Sequence, residues 1–246
     1  MTPRPAALIA TFLPRDADDA GAVLDAFTPG RDGDLVELRL DALDDAEDTV
    51  DDLVNRAPVA VVATCRRSSE GGRVVRSERE RLDLLARAAA TGATWIDVEH
   101  DVSPDRVPQG ARVIRSLHLS TLPAHPAATV ASLLATGADV VKLVVADTSA
   151  QGVLTLLDLV RVHAERLAAH VLATPSTRAL SAALGAPFTY GLVRSRDGFA
   201  FALPTVRELR EQGRVGDTSP STRAFLLLGA SVDASVSPRM LRRAFA

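Results

Sequence analysis

Eight short runs of β-forming residues recur along this chain, most of them separated by segments of helical period, and that alternation restricts the fold more than any other feature. The runs are ALIATFL, DLVELRLD, VAVVATC, TWIDVEHD, RVIRSLH, DVVKLVVA, AHVLATP and FTYGLV. Between them, SERERLDLLARAAATG, PAHPAATVASLLATG and TLLDLVRVHAERLA carry the Ala-, Leu- and Arg-rich pattern of amphipathic helices. Strand, helix, strand at a spacing of roughly thirty residues is the βαβ unit, which builds parallel sheets. Eight such strands in 246 residues fit a closed (β/α)8 TIM barrel, an α/β fold whose usual length is roughly 250 residues. A doubly wound open sheet is the alternative. Its nucleotide-binding version would carry GxGxxG after the first strand, and ATFLPRDADDAGAV has none.

The barrel is expected over residues 1–212, followed by a linker-like stretch at 213–222 and a C-terminal extension at 223–246 that begins with one more strand-like run. The chain is 47% apolar and 24% charged with a net charge of -3, so it can bury a large core but offers no electrostatic case for nucleic acid or an anionic membrane. No apolar run approaches the roughly 20 residues that span a bilayer, and the start, MTPRPAALIATFLPRD, meets charge too soon for a signal peptide. A cytoplasmic protein acting on a small polar molecule is the expectation. The single cysteine, Cys65, excludes an internal disulfide and a multi-cysteine metal cluster, and at the end of VAVVATC it reads as a buried, inert thiol. The five histidines show no HExxH or other ligand spacing, so no metal is expected.

The polar residues inside the strands carry the functional signal. Lys142 lies among Val140, Val141, Leu143, Val144 and Val145, where a charge is costly unless paired, neutralised or used. Side chains two apart on a strand share a face, which groups Glu37 with Arg39 and Asp41, Thr64 with Arg66, Asp97 with Glu99, and Ser116 with His118. These sets fall toward the C-terminal ends of their strands, the end at which barrel active sites lie. Each member has a plainer reading. Glu37 and Arg39 could be a structural ion pair, His118 a satisfied core histidine, Asp97 and Glu99 anchors for loops, and Lys142 an edge residue with its head in water. Their joint occurrence suggests a charge-rich pocket for a polar, anionic substrate.

A lysine in an apolar barrel can hold a free amine near neutrality, attack a ketone and form an imine. The protonated imine acidifies the adjacent C–H, and a histidine on the neighbouring strand is a suitable base. Schiff-base dehydratases and class I aldolases both fit this inventory.

ELRLD, TCRRSSEGG, WIDVEHD, IRSLH and DVVKLVV, in that order, resemble the motifs of the type I 3-dehydroquinate dehydratases of aromatic amino acid biosynthesis, over about Leu8 to Arg210. The resemblance implies that Lys142 forms an imine with the C3 ketone of 3-dehydroquinate. It also implies that His118 removes the C2 proton and protonates the departing C1 hydroxyl, with no cofactor. By the same resemblance Glu37, Arg39, Arg66, Glu70 and Arg178 line the substrate site, Arg178 holding the carboxylate. Glu70 and Asp97 are placed to tune His118, and Gly71 and Gly72 form a turn that presents Arg66 and Glu70.

The chain departs from the family in several places. LATPSTR replaces a glycine-containing stretch, with Thr177 for the serine before Arg178, and Leu119 and Ser120 follow the histidine. In the loop after the last strand Ala202 and Val206 stand where the family has a serine and a glutamine that bind substrate, and a glutamine at 206 is expected to raise affinity. The tail, FLLLGASVDASVSPRMLRRAFA, resembles the opening of a shikimate dehydrogenase, with Ser235 and Ser237 at its two substrate-binding serines, followed by Pro238 but with Val232 and Arg243 off pattern. The altered loop leaves open a lyase or aldolase acting on a related substrate. A non-catalytic barrel that binds a partner protein is the reading from another class, and a homodimer is a candidate assembly.

Overall fold

A computed structural model describes residues 5–194, 203–211, 213–217, 236 and 240. The linker-like stretch from 218, the tail with Ser235, Ser237 and Pro238, and Ala202 all lie outside the described residues. Eight parallel strands are present: β1 (Ala7–Thr11), β2 (Leu35–Arg39), β3 (Ala60–Thr64), β4 (Trp95–Glu99), β5 (Arg112–Leu119), β6 (Val140–Val145), β7 (Leu167–Val171) and β8 (Phe188–Leu192). The helices are α1 (Ala17–Ala26), α2 (Ala46–Arg56), α3 (Glu78–Thr91), α4 (Pro126–Leu134), α5 (Ala150–Val162), α6 (Thr177–Ala183) and α7 (Val206–Glu211). The fold is the (β/α)8 barrel, with one economy: a single 3-10 turn, Pro104–Arg106, replaces a helix between β4 and β5. Among the described residues no helix is long and apolar enough to cross a membrane.

Local chemistry sets the helix boundaries. Ser77 and Glu80 form a reciprocal capping box at the start of α3, Asp16 and Ser149 cap α1 and α5, and Pro126 opens α4 where its missing N–H costs nothing. The helical run read through TLLDLVRVHAERLA stops early, at Val162. Glu165 adopts a left-handed conformation (φ 66°), and the amides of Arg166 and Leu167 both donate to the His163 carbonyl, which turns the chain so that Leu167 can start β7.

The strands are joined side by side in the order β7-β6-β5-β4-β3-β2-β1-β8, so the ring has one seam, between β7 and β8. Helix α6 seals it. The Val171 amide donates to Thr177 Oγ1 at 3.0 Å, the Ala169 amide to Ser181 Oγ at 3.4 Å, and Arg178 Nε to the Tyr190 carbonyl at 3.1 Å. Side chains of one helix thus satisfy backbone groups that a β7–β8 ladder would have used. The threonine that replaces the family serine at 177 has this structural task.

The strand registers divide the barrel along its axis. At its N-terminal end the interior is closed by Ile9, Val62, Trp95, Ile114, Val140 and Phe188, all in one buried cluster. Above this apolar floor the inward positions turn polar. Thr11 is level with Glu37, Thr64 with Asp97, Glu99 with Ser116 and Lys142, and His118 with Val144 and His170. A second cluster, including Leu8, Val36, Leu38, Ala63 and Ile96, packs the outer face of the strands against the helices.

Candidate active site

Lys142 points into the barrel and is only 6% exposed, which disposes of an edge-strand position with its head in water. Its surroundings differ from an apolar pocket. Nζ donates to Asp97 Oδ2 at 2.7 Å, lies 3.9 Å from Glu37 Oε1, and sits 4.3 Å over the ring of Tyr190. Burial alone would push the Asp97 carboxyl up. The charges of Arg66 and Lys142 and the hydrogen bonds from Lys142 and Ser116 outweigh it and hold this group well below the usual carboxylate range. The lysine is therefore seated on a fixed anion.

Around that pair the charges interlock. Arg66 Nη2 is 2.8 Å from Asp97 Oδ1, and its Nη1 donates to Ser116 Oγ at 2.7 Å, while Ser116 in turn donates to Asp97. Glu99 and Glu70 lie 3.7 Å from the same guanidinium, which burial would push down but these three carboxylates keep firmly protonated. Glu37 accepts from Thr11 and Thr64, an arrangement that fixes both carboxylate oxygens with uncharged donors. Arg39 feels the charge of Glu37, with which it shares a face, and binds Asp41 directly. Both arms of Arg39 engage Asp41 at 2.8 and 2.7 Å, and Asp41 also accepts from the backbone amides of Arg66 and Arg73.

His118 Nδ1 lies 2.9 Å from Glu70 Oε2. Burial first, then the charges of Arg66 and Lys142, push the imidazole well below its ordinary value of 6.5, so it is neutral at neutral pH. A neutral ring beside a carboxylate donates from Nδ1 and leaves the Nε2 lone pair free, the form a general base requires. Asp97, expected to tune this histidine, acts on it only through its field, since its bonds go to Lys142, Arg66 and Ser116. Burial raises the Glu70 carboxyl, an effect that Arg66 and Arg67 only partly offset.

The turn that carries Glu70 depends on both glycines. Gly71 takes a left-handed conformation (φ 90°) after the 3-10 turn Ser68–Glu70, and a Cβ on Gly72 would stand 1.9 Å from the Arg66 carbonyl oxygen. The chain thereby folds back tightly enough for Arg66 and Glu70 to face the same pocket.

The sequence matches the model of the type I 3-dehydroquinase family over residues 15–217. The chain belongs to this family. It is 28% identical over 226 residues to the chloroplastic bifunctional 3-dehydroquinate dehydratase/shikimate dehydrogenase of Arabidopsis thaliana, a match that covers 86% of this chain and 38% of that protein. It is 29% identical over 191 residues to the 3-dehydroquinate dehydratase of Dehalococcoides mccartyi, covering 71% and 82% of the two chains. The crystal structure of 3-dehydroquinate dehydratase from Geobacillus kaustophilus superposes with a TM-score of 0.68 at 21% identity, over 84% of this chain and 89% of that one, and shares its fold.

As a type I 3-dehydroquinase, the chain brings Lys142, His118, Glu37, Arg39, Arg66, Glu70 and Asp97 together at the C-terminal end of the barrel. Arg178 enters from α6 at the seam. It is 3% exposed, burial lowers it to about 10, and its Nη1 has no hydrogen-bond partner. Val206 is a correction. It is the first residue of α7, 2% exposed and packed in the outer core with Leu209 and Val215, so a glutamine there would be buried in the helix layer instead of reaching substrate. Thr205 is committed too, exchanging hydrogen bonds with Glu208 at the start of α7. Sequence reasoning had missed Thr11, His170 and Tyr190, although strand alternation carried onto β1, β7 and β8 points all three inward. Cys65 is 1% exposed, and burial pushes its thiol up to about 12, which leaves it inert. Among the described residues no group of three or more His, Cys, Asp or Glu side chains could hold a metal ion.

Proposed function

We propose that this chain dehydrates 3-dehydroquinate to 3-dehydroshikimate through an imine on Lys142. The observation that carries the reading is the lysine ammonium fixed on Asp97 within a barrel whose next layer holds a neutral histidine. After Nζ gives up one proton, the neutral amine adds to the C3 ketone, and loss of water leaves an imine that keeps one proton on nitrogen. That cation takes the place of the ammonium, so Asp97 stabilises it without reorganisation. His118 Nε2 then removes the C2 proton, and the electron pair passes into the C2–C3 bond as an enamine. When the C1–O bond breaks, the enamine pair forms the new C1–C2 double bond, and the histidine returns its proton to the leaving hydroxyl as water. Hydrolysis of the imine restores Lys142, for a net loss of one water. Arg178, with its unsatisfied Nη1, is suited to the substrate carboxylate.

Intact-protein mass after incubation with 3-dehydroquinate and borohydride tests this reading. The natural chain should gain one reduced adduct, and Lys142→Ala should gain none and lose turnover. A folded natural chain without adduct at high substrate would overturn it.

A further inference from the structure

Three buried side chains meet at the seam: His170, whose ring nitrogens find no side-chain partner and whose polar contact is with the Ala169 backbone, and Tyr190 and Arg178, whose hydroxyl and Nη1 find no partner. They are 1%, 6% and 3% exposed. The His170 and Tyr190 rings meet edge to face at 6.2 Å, Arg178 Nε is bonded to the Tyr190 carbonyl, and the Lys142 ammonium lies over the Tyr190 ring. His170 is level with Val144 and His118, one inward position nearer the mouth than Lys142. Unpartnered buried polar groups are uncommon in native proteins, and here several adjoin one another beside the candidate nucleophile. A ligand that supplies their hydrogen bonds would satisfy all of them together.

We propose that His170 and Tyr190 contact the substrate, hydrogen-bonding a ring hydroxyl other than the leaving one while Arg178 holds the carboxylate. The assignment rests on the dehydratase reading and identifies what recognises the substrate beside Arg178. Burial, then the charges of Arg178 and Lys142, keep the imidazole neutral, with one nitrogen donating and the other accepting. A hydroxyl both donates and accepts, so it can bond whichever ring nitrogen faces it, whereas Arg178 supplies the charge for the carboxylate. Neither Thr205 nor Val206 is free to do this from the segment after β8, since one caps α7 and the other is in the core. Recognition moves instead to strands β7 and β8.

The test is steady-state kinetics with 3-dehydroquinate on the natural chain, His170→Leu, His170→Gln and Tyr190→Phe, together with borohydride trapping and thermal melting. His170→Leu and Tyr190→Phe should each raise KM about tenfold, leave kcat within about threefold, and still trap substrate at saturation. His170→Gln, which can both donate and accept, should recover most of the loss in KM. A Tm for His170→Leu equal to or above that of the natural chain, alongside the raised KM, separates substrate contact from structural support. The proposal is overturned if the natural chain turns over while both His170→Leu and Tyr190→Phe keep KM within about twofold. If His170→Leu does not fold, Tyr190→Phe, which removes a single oxygen, decides alone. A natural chain that neither turns over nor traps substrate defeats the dehydratase reading, and this one with it.

Discussion

In the proposed reaction Glu70 is the group that holds His118 in the tautomer a base needs, and it acts without touching the substrate carbon. Its carboxylate accepts from Nδ1, and the nitrogen left with a lone pair is Nε2. Glu70→Gln can offer either an oxygen or an amide N–H to that ring and no longer selects one tautomer. We expect kcat to fall roughly tenfold with KM little changed, against roughly 10²- to 10⁴-fold for His118→Ala, where the base itself is gone. NMR of the imidazole nitrogens should show the proton on Nδ1 in the natural chain and a mixture in Glu70→Gln. An unmixed spectrum with unchanged kcat would count against the positioning role. At this scale Lys142 was legible as a lone charge within an apolar run, and alternation grouped His118 with Ser116 on one face. The partners of Asp97 were not legible. They depend on registers between strands far apart in sequence, which a single strand's pattern does not contain.

Among the elements, the Ser68–Gly72 turn and helix α6 do the positioning, and their glycines and hydroxyls can be tested one at a time. A Cβ at Gly71 meets nothing within 4 Å but must adopt φ 90°, whereas a Cβ at Gly72 collides with the Arg66 backbone at 1.9 Å. Gly71→Ala should therefore cost about 1 kcal/mol of stability with near-normal kinetics. Gly72→Ala has to displace Arg66, so kcat/KM should fall at least about tenfold even in folded protein. Equal kinetics for the two would show that the turn does not set the pocket. At the seam, Thr177→Val leaves the Val171 amide without its acceptor, and urea unfolding should report a loss of about 1–3 kcal/mol, while Thr177→Ser should be nearly neutral. The eight strands were readable as short β-prone runs between helical segments. The sealing role of α6 was not, because STRAL reads as an ordinary helix start, and only the absence of a β7–β8 ladder gives its hydroxyls backbone partners.

For the molecule as a whole, an apolar floor and a charged upper barrel make stability depend on pH in a direction that follows from two buried histidines. His118 faces Glu70, Arg66, Lys142, Asp97 and Arg39, and His170 faces Arg178 and Lys142. Burial, the largest influence on both, and the surrounding cations lower each ring well below the ordinary 6.5. Between that ordinary value and the lowered one the unfolded chain binds protons that the folded chain refuses, so stability falls as pH drops below about 6.5 and is fully present above it. Each ring contributes at most roughly 1.4 kcal/mol per pH unit across that window. Urea unfolding at about pH 7.5 and about pH 5.5 should therefore give a lower free energy at the acid value, and His170→Leu should flatten the slope by about half. The neutral His118 also keeps its base form into mild acid, so the acid limb of kcat/KM should lie below 6.5. Stability that is flat between the two pH values, or an acid limb above 6.5, would mean that these rings are protonated in the folded barrel, and His118 could not then begin the reaction as a base.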